Sequence, residues 1–476
     1  MAVSACQQFL GRVRLRAPID IFAWFSEHPV NTLQIGLLYG GATFAALFSG
    51  IPIAFALGGV ATIFMMLFMP AASLDTIAQN VYEELASITL LTIPLFILKG
   101  AAIGKSRAGK DLYDALHTWL HRVPGGLGVA VVLACGLFAA MAGSSPATCS
   151  AIGSSGIPEM RKRGYSPGFA AGLVAAGGTL GILLPPSIVL ILYAVAAEQS
   201  LGRLFLAGLG PGVLLVALFA GYAMLHWRTE HGRATAIAAA GGPRSAILAT
   251  DSFTMRDKLA ALPRVLPFLL LLTGVMVALY GGIATPSETA GLGAVLALLL
   301  IAAVYGAWRL ADLKPIFQGT LGESGMLLMI IGMSLLYSYV MSYLHISQGA
   351  AQWIVDLHLS RWLLLVAILL MVVVLGFFLP PVSIILMTAP IILPPLRAAG
   401  FDLIWFGVVM SVVMEMGLIH PPVGLNIFVI NRIAPDIGLG AVIRGTIPFV
   451  ILMAIGVVIL SFLPGIALWL PNLVYG

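Results

Sequence analysis

A run of small, hydroxylated and imino residues, Gly143-Ser144-Ser145-Pro146-Ala147-Thr148, stands in the middle of an apolar segment. In hydrocarbon every backbone N–H and C=O needs a partner inside the protein. Broken backbone therefore survives there only where it is buried in protein or lines a cavity. The break is a packing kink or a binding site. That the surroundings are hydrocarbon follows from composition: 60% of the 476 residues are hydrophobic and only 9% charged, against roughly 25% charged in a soluble domain. Several apolar runs reach the roughly 20 residues that cross a bilayer as a helix. The chain reads as an all-α polytopic membrane protein surrounded by membrane lipid. Its net charge of +5 is what the positive-inside bias of cytoplasmic loops produces, and it asks for no nucleic acid. Cys6, Cys135 and Cys149 form no disulfide framework and have no metal-ligand spacing. Cys135 and Cys149 read as inert fillers.

Residues 1–32 form an N-terminal extension with Arg12, Arg14 and Arg16, too polar to span. They lack the apolar core and small-residue cleavage site of a signal peptide, which leaves an amphipathic surface arm or an over-extended start. Residues 33–123 hold the N-terminal spans. Leu33 to Met69 is apolar, and its break at Ser49-Gly50-Ile51-Pro52 makes two short segments. Asp75, Glu83 and Glu84, with no Lys or Arg between Pro70 and Ser87, suit the outside. Ile88 to Ile103 is the next span. Lys99, Lys105, Arg107, Lys110 and Arg122 put the C-terminal end of that span, and the stretch up to residue 123, in the cytoplasm.

Pro124 to Met160 is followed by Arg161-Lys162-Arg163, so both flanks are basic. One helix would be too long, and two spans need about 40 residues plus a turn. A re-entrant hairpin turning at Ser144-Ser145-Pro146 is the economical reading; the alternative is one kinked span with a mis-assigned flank. Phe169 to Ala197 crosses next, broken by Gly177-Gly178-Thr179-Leu180-Gly181 and Pro185-Pro186, which free carbonyls at mid-depth. Leu204 to Trp227 crosses back, completing a unit over 124–227. A basic cytoplasmic loop over 228–264 separates it from central spans over 265–361, read at Val265–Ile283, Ser287–Tyr305 and Thr320–Leu344. Thr285-Pro286-Ser287-Glu288 reads as a turn and capped helix start.

Residues 362–476 repeat the first unit. Trp362 to Leu396 breaks at Leu379-Pro380-Pro381-Val382-Ser383. Gly164, Gly181, Pro158 and Pro185-Pro186 recur 236 positions later as Gly400, Gly417, Pro394 and Pro421-Pro422. Five spans lie between the hairpins, and an odd number inverts the second copy. Inverted repeats with broken helices and a midplane site mark secondary transporters. Unwound carbonyls and hydroxyls suit a hard cation such as Na⁺, and helix N-termini suit an anion. One half can supply Ser144, Ser145, Thr148 and the carbonyls of Gly181 to Leu184. The other can supply Gly376, the Leu379–Ser383 turn and the carbonyls of Gly417 to His420. No arginine, Asp or Glu stands in either break. Substrate contacts are expected from Ser145, Thr148, Ser187, Pro380, Ser383, His420 and Asn426. His420 faces the site or is structural; Asn426 contacts substrate or caps a half-helix; Glu415 pairs to a backbone break or a partner helix. The Met-rich runs at Met326–Met333 and Met410–Met416 read as packing.

The stretches Gly143-Ser-Ser-Pro-Ala-Thr148, Ile157-Pro-Glu-Met-Arg-Lys-Arg-Gly-Tyr165, Ala175-Ala-Gly-Gly-Thr-Leu-Gly-Ile-Leu-Leu-Pro-Pro-Ser187 and Gly417-Leu-Ile-His-Pro-Pro-Val-Gly-Leu-Asn426 resemble the DctM-like large membrane subunit of tripartite ATP-independent periplasmic (TRAP) transporters. The resemblance runs from about Leu33 to the C-terminus. It implies a bacterial inner-membrane transport subunit, not an enzyme, of the elevator type, coupled to two or more Na⁺. It also implies a small four-helix membrane subunit and a periplasmic binding protein that delivers a small organic acid. Carried over, one Na⁺ site uses Ser144 or Ser145 with carbonyls of Gly181, Leu184 and Pro186; the other uses Gly376 with Gly417, His420 and Pro422. Many members carry an acid where Pro380 stands and a threonine where His420 stands. The missing hydroxyl removes a side-chain ligand from the second site, and the missing acid fits a dianion such as succinate, malate or fumarate. A self-contained Na⁺-dicarboxylate symporter is the alternative. A membrane enzyme would need a Ser/His, Asp/Asp or His-Glu-x-x-His set; a channel would not need the inverted repeat.

Overall fold

In the computed structural model, residues 32–240, 247, 253–357, 359–421 and 424–476 are described. The expectation for residues 1–32 therefore falls almost wholly outside them. Every regular element among the described residues is helical. Short helices α1 (Thr32–Phe48) and α2 (Ile53–Phe68) come first. A 3₁₀ turn and α3 (Ile77–Leu85) lead to α4 (Ile88–Lys105). α5 (Ala108–Leu120) precedes the first hairpin, α6 (Gly126–Ala142) and α7 (Ser145–Lys162). A broken helix comes after it, α8 (Pro167–Leu183) and α9 (Ile188–Ala196), bent by 42° at its break. Next come α10 (Leu201–Ala239), α11 (Met255–Tyr280), α12 (Pro286–Tyr305) and α13 (Leu310–Tyr343). The chain ends with α14 (Ile346–Asp356), a second helix pair α15 (Arg361–Gly376) and α16 (Pro381–Ala398), α17 (Leu403–Leu418) and α18 (Leu425–Ile433), α19 (Leu439–Phe462) and α20 (Gly465–Tyr475).

Seven of these helices are long and apolar enough to cross a membrane, or eight if the bent pair counts as one span. The first helix pair folds back on itself. Val131 and Gly156 lie on opposite sides of the break, and a Cβ built on Gly156 would sit 3.2 Å from Val131 Cγ2. α8 lies against both arms and against α19, where a Cβ on Gly172 would meet the Gly445 carbonyl at 2.1 Å. Such close backbone approach requires glycine.

Three segments read as connections turn out helical. α10 continues past Trp227 to Ala239, and α11 starts at Met255, so the loop placed over 228–264 shrinks from both ends. Charged residues do not stop a helix on leaving the membrane; here pairs four apart support it. Trp227 stacks on His231 at 4.5 Å and His226 Nε2 meets Glu230 at 3.0 Å. α5 and α14 are short, polar on one face, and each precedes a hairpin. Thr285 begins α12 as expected: its hydroxyl accepts from Glu288 N, and the Glu288 carboxylate accepts from Thr285 N. Cys135, Cys149, Met410 and Met414 are buried packing residues, whereas Met326 and Met329 are exposed on α13.

Candidate functional site at the helix breaks

The first break is built by local chemistry. Gly143 closes α6 in the left-handed region, φ 65°, and its N–H donates to Ala139 O at 2.8 Å, a conformation glycine takes without Cβ strain. Ser144 is extended at the N-cap position of α7, with no capping bond from its side chain; Pro146 sits in the first turn, where a missing N–H costs nothing. The Thr148 hydroxyl donates to the Ser144 carbonyl at 2.9 Å. Ser145 and Thr148 are buried.

The α8–α9 break packs directly on this tip. A Cβ on Gly181 would lie 2.8 Å from the Ser144 carbonyl and 2.9 Å from Ser145 N, and one on Gly143 would lie 2.7 Å from Pro186 O. Ser144, Ser145, Gly181 and Pro186 are thus brought together, and Leu184 ends α8 at the same break. Ser187 is used locally: its hydroxyl accepts from Leu190 N at 3.3 Å, capping α9.

The second break repeats the arrangement with less hydroxyl. A Cβ on Gly417 would lie 2.2 Å from the Gly376 carbonyl, so these two residues are also brought together. His420 is half-buried, its ring stacked on Phe377 at 4.6 Å and its Nδ1 against the Pro421 carbonyl. Pro422 lies outside the described residues. Pro380 occupies the N-cap position of α16, and Ser383, one turn on, is fully buried with a hydroxyl that has no partner among the described residues.

The two halves meet through Asn426. Its Nδ2 donates to Ser145 Oγ at 2.8 Å and to the Ala175 carbonyl at 3.1 Å, while its Oδ1 has no partner among the described residues. It is neither a half-helix cap nor on an open surface. Glu415 is buried on α17, facing Thr179 and the backbone of Ile182 on α8. The Thr179 hydroxyl donates to Ala176 O at 2.6 Å.

One cavity of about 410 Å³ reaches this region. Ser144 and Ser150 of the first hairpin, Gly100, Gly104 and Lys105 of α4, and Glu323 of α13 line it. Sequence reasoning used Lys105 only to mark a cytoplasmic end and passed over Glu323 inside an apolar span. The signal was there in Gly104, beside which the helix face is open, while Gly100 packs on the Ala142 carbonyl. A larger crevice of about 740 Å³ between α6, α10 and α11 is almost wholly apolar and offers little to recognise a solute.

The sequence model of the family described as tripartite ATP-independent periplasmic transporter, DctM component, matches residues 41–466. The C4-dicarboxylate TRAP transporter large permease protein DctM of Pseudomonas aeruginosa is 37% identical over 416 residues, 87% of this chain and 93% of that one. Its namesake in Rhodobacter capsulatus is 34% identical over 452 residues, 92% and 99% of the two chains. Relatives named for isethionate, ectoine and sialic acid are 28–29% identical. The crystal structure of the Alcanivorax borkumensis YdaH transporter superposes with a TM-score of 0.59 over 89% of this chain and 99% of its own, at 16% identity, a likeness of fold. With its apolar spans and this match over most of its length, the chain is a multi-pass inner-membrane protein and belongs to the tripartite ATP-independent periplasmic transporter family as the DctM component, the large permease.

Proposed function

We propose that the chain imports a small organic anion, a C4-dicarboxylate, coupled to Na⁺ and delivered by a periplasmic binding protein, with a small membrane subunit completing the permease. The observation that carries this reading is the doubled approach of backbone at the breaks: Gly181 on Ser144, and Gly417 on Gly376. Each gathers carbonyl oxygens at a helix interruption, the donor set a dehydrated Na⁺ needs. The first set adds the Ser144 and Ser145 hydroxyls. The second has only carbonyls from Gly376, Gly417 and His420, and makes the weaker site.

The two units act as an inverted repeat. Gly164 and Gly400, 236 positions apart, both end hairpin arms in the left-handed region, at φ 81° and 77°. The correspondence extends to α5 and α14, one before each hairpin. In this reading the hairpins and broken helices move as one body, and α5 and α14 are the arms that join it to the remaining spans. The dicarboxylate preference rests on the similarity to the Pseudomonas aeruginosa and Rhodobacter capsulatus proteins and on the absence of an acid at Pro380.

The test is uptake into proteoliposomes holding the complete permease, with and without the binding protein, under an inward Na⁺ gradient. Uptake of succinate or malate should need both. Full uptake without the binding protein would make the chain a self-contained symporter, and uptake indifferent to Na⁺ would remove the coupling.

A further inference from the structure

The 410 Å³ cavity holds two opposite charges that do not pair. Lys105 and Glu323 both line it, yet among the described residues neither belongs to an ion pair. The same cavity is lined by Ser144 and Ser150 and by Ala147 in the first turn of α7, where unpaired N–H groups favour negative charge. The space is open beside Gly104 on α4 and Gly319 on α13, where a Cβ would meet nothing within 4 Å, while Gly100 packs on the Ala142 carbonyl.

These groups make unequal demands on a ligand. Lys105 and the start of α7 each suit a carboxylate. Glu323 does not: ionised, it only accepts hydrogen bonds, and a second carboxylate beside it is repelled. It needs a donor on the ligand. We propose that this cavity binds an organic acid carrying a hydroxyl or ammonium donor between its carboxylates, with Lys105 holding one carboxylate, Ser144 and the first turn of α7 the other, and Glu323 accepting from the donor. This rests on the transport reading above and narrows its substrate class: a hydroxylated or aminated dicarboxylate is preferred over an unsubstituted one. Glu323 is then the specificity-determining residue: it is exposed in the cavity, but a ligand seated there takes it out of water, and an acceptor then left without its donor penalises the analogue that lacks one.

The probes are malate, aspartate and succinate, titrated calorimetrically into the complete permease in nanodiscs with NaCl present. Malate or aspartate should bind at least about tenfold more tightly than succinate, the ratio expected for one unsatisfied charged acceptor. Glu323→Ala should bring the three affinities together, and Glu323→Gln should abolish the aspartate preference while leaving the unliganded melting temperature unchanged. Lys105→Gln should weaken all three about tenfold or more. Unaltered selectivity in both Glu323 variants, or unaltered affinity in Lys105→Gln, overturns the assignment while leaving the transport reading intact. Absence of binding by every organic acid, together with absence of uptake, overturns both.

Discussion

Asn426 and Ser145, 281 positions apart, meet in a hydrogen bond of 2.8 Å inside the membrane-spanning body. Ser145 begins the second arm of the first hairpin and Asn426 lies in the half-helix after the second break, so one amide joins the two halves at their interruptions. Both residues are buried, and the same Nδ2 holds the Ala175 carbonyl. Asn426→Ala should therefore destabilise the protein by about 1–3 kcal/mol. A double-mutant cycle with Ser145→Ala, read from thermal unfolding in detergent, should give a coupling of about 0.5–2 kcal/mol. Strictly additive losses would show that the contact contributes nothing by itself.

Gly417 leaves no room for a side chain: a Cβ would sit 2.2 Å from the Gly376 carbonyl and 2.9 Å from its Cα, backbone that cannot swing aside. Gly417→Ala should cost about 1–3 kcal/mol or more and impair transport. Gly274, on the exposed face of α11, has nothing within 4 Å of the same position. Gly274→Ala should be neutral or stabilising by up to about 1 kcal/mol. Melting temperatures of the two purified variants check the contrast, and equal effects would show that helix propensity, not close approach, decides.

Ser144→Ala with Ser145→Ala removes both hydroxyls at the first break. Na⁺-dependent uptake should be lost while membrane insertion persists, because Gly143 and Pro146 still set the turn. Initial uptake rates against Na⁺ concentration are the readout; an unchanged Na⁺ dependence removes these residues from the coupling site.

His117 stands on α5, outside the spans, stacked on Tyr113 at 6.2 Å and edge-on to Phe253 at 5.4 Å. Burial first, and then the nearby Arg163 guanidinium, hold its imidazole below the usual histidine range. A histidine depressed in the folded state contributes stability above its unfolded value, about pH 6.5. That contribution is lost as pH falls through the folded value. The protection of residues 108–120 against hydrogen exchange, with rates corrected for the intrinsic pH dependence of amide exchange, should fall as pH drops below about 6.5. His117→Gln, which cannot charge, should flatten that response.

Much of this architecture was legible in the sequence because it depends on local chemistry. Span positions follow from hydropathy. The breaks fall at Gly143, Pro185-Pro186, Pro380 and Pro421, whereas Gly177 to Gly181 and Pro94, Pro158, Pro211 and Pro394 stay inside helices. The tip, Gly143-Ser144, lies at the N-terminal edge of the Ser144-Ser145-Pro146 turn read from the sequence, because Ser145 and Pro146 already belong to α7; the interruptions after Leu183 and Leu418 fall beside the proline pairs. The loop boundaries were misread where polarity was taken for irregularity. Arg228 to Arg233 are polar but propagate a helix, and α5 and α14 are amphipathic.

The sequence by itself determined that this chain lives in a membrane, where its helices break and that its two units share a pattern; apolar length, charge flanks and imino residues act within a few positions of one another. Only the tertiary structure decided what the break residues do. Thr148 and Ser187 give their hydroxyls to neighbouring backbone, His420 stacks on Phe377, Asn426 reaches across 281 positions to Ser145, and Lys105 and Glu323 come to face one cavity from helices outside both hairpins. The physical reason is that a hydroxyl or an amide is satisfied by whichever group packing brings within about 3 Å, and that partner is set by how helices cross rather than by spacing along the chain.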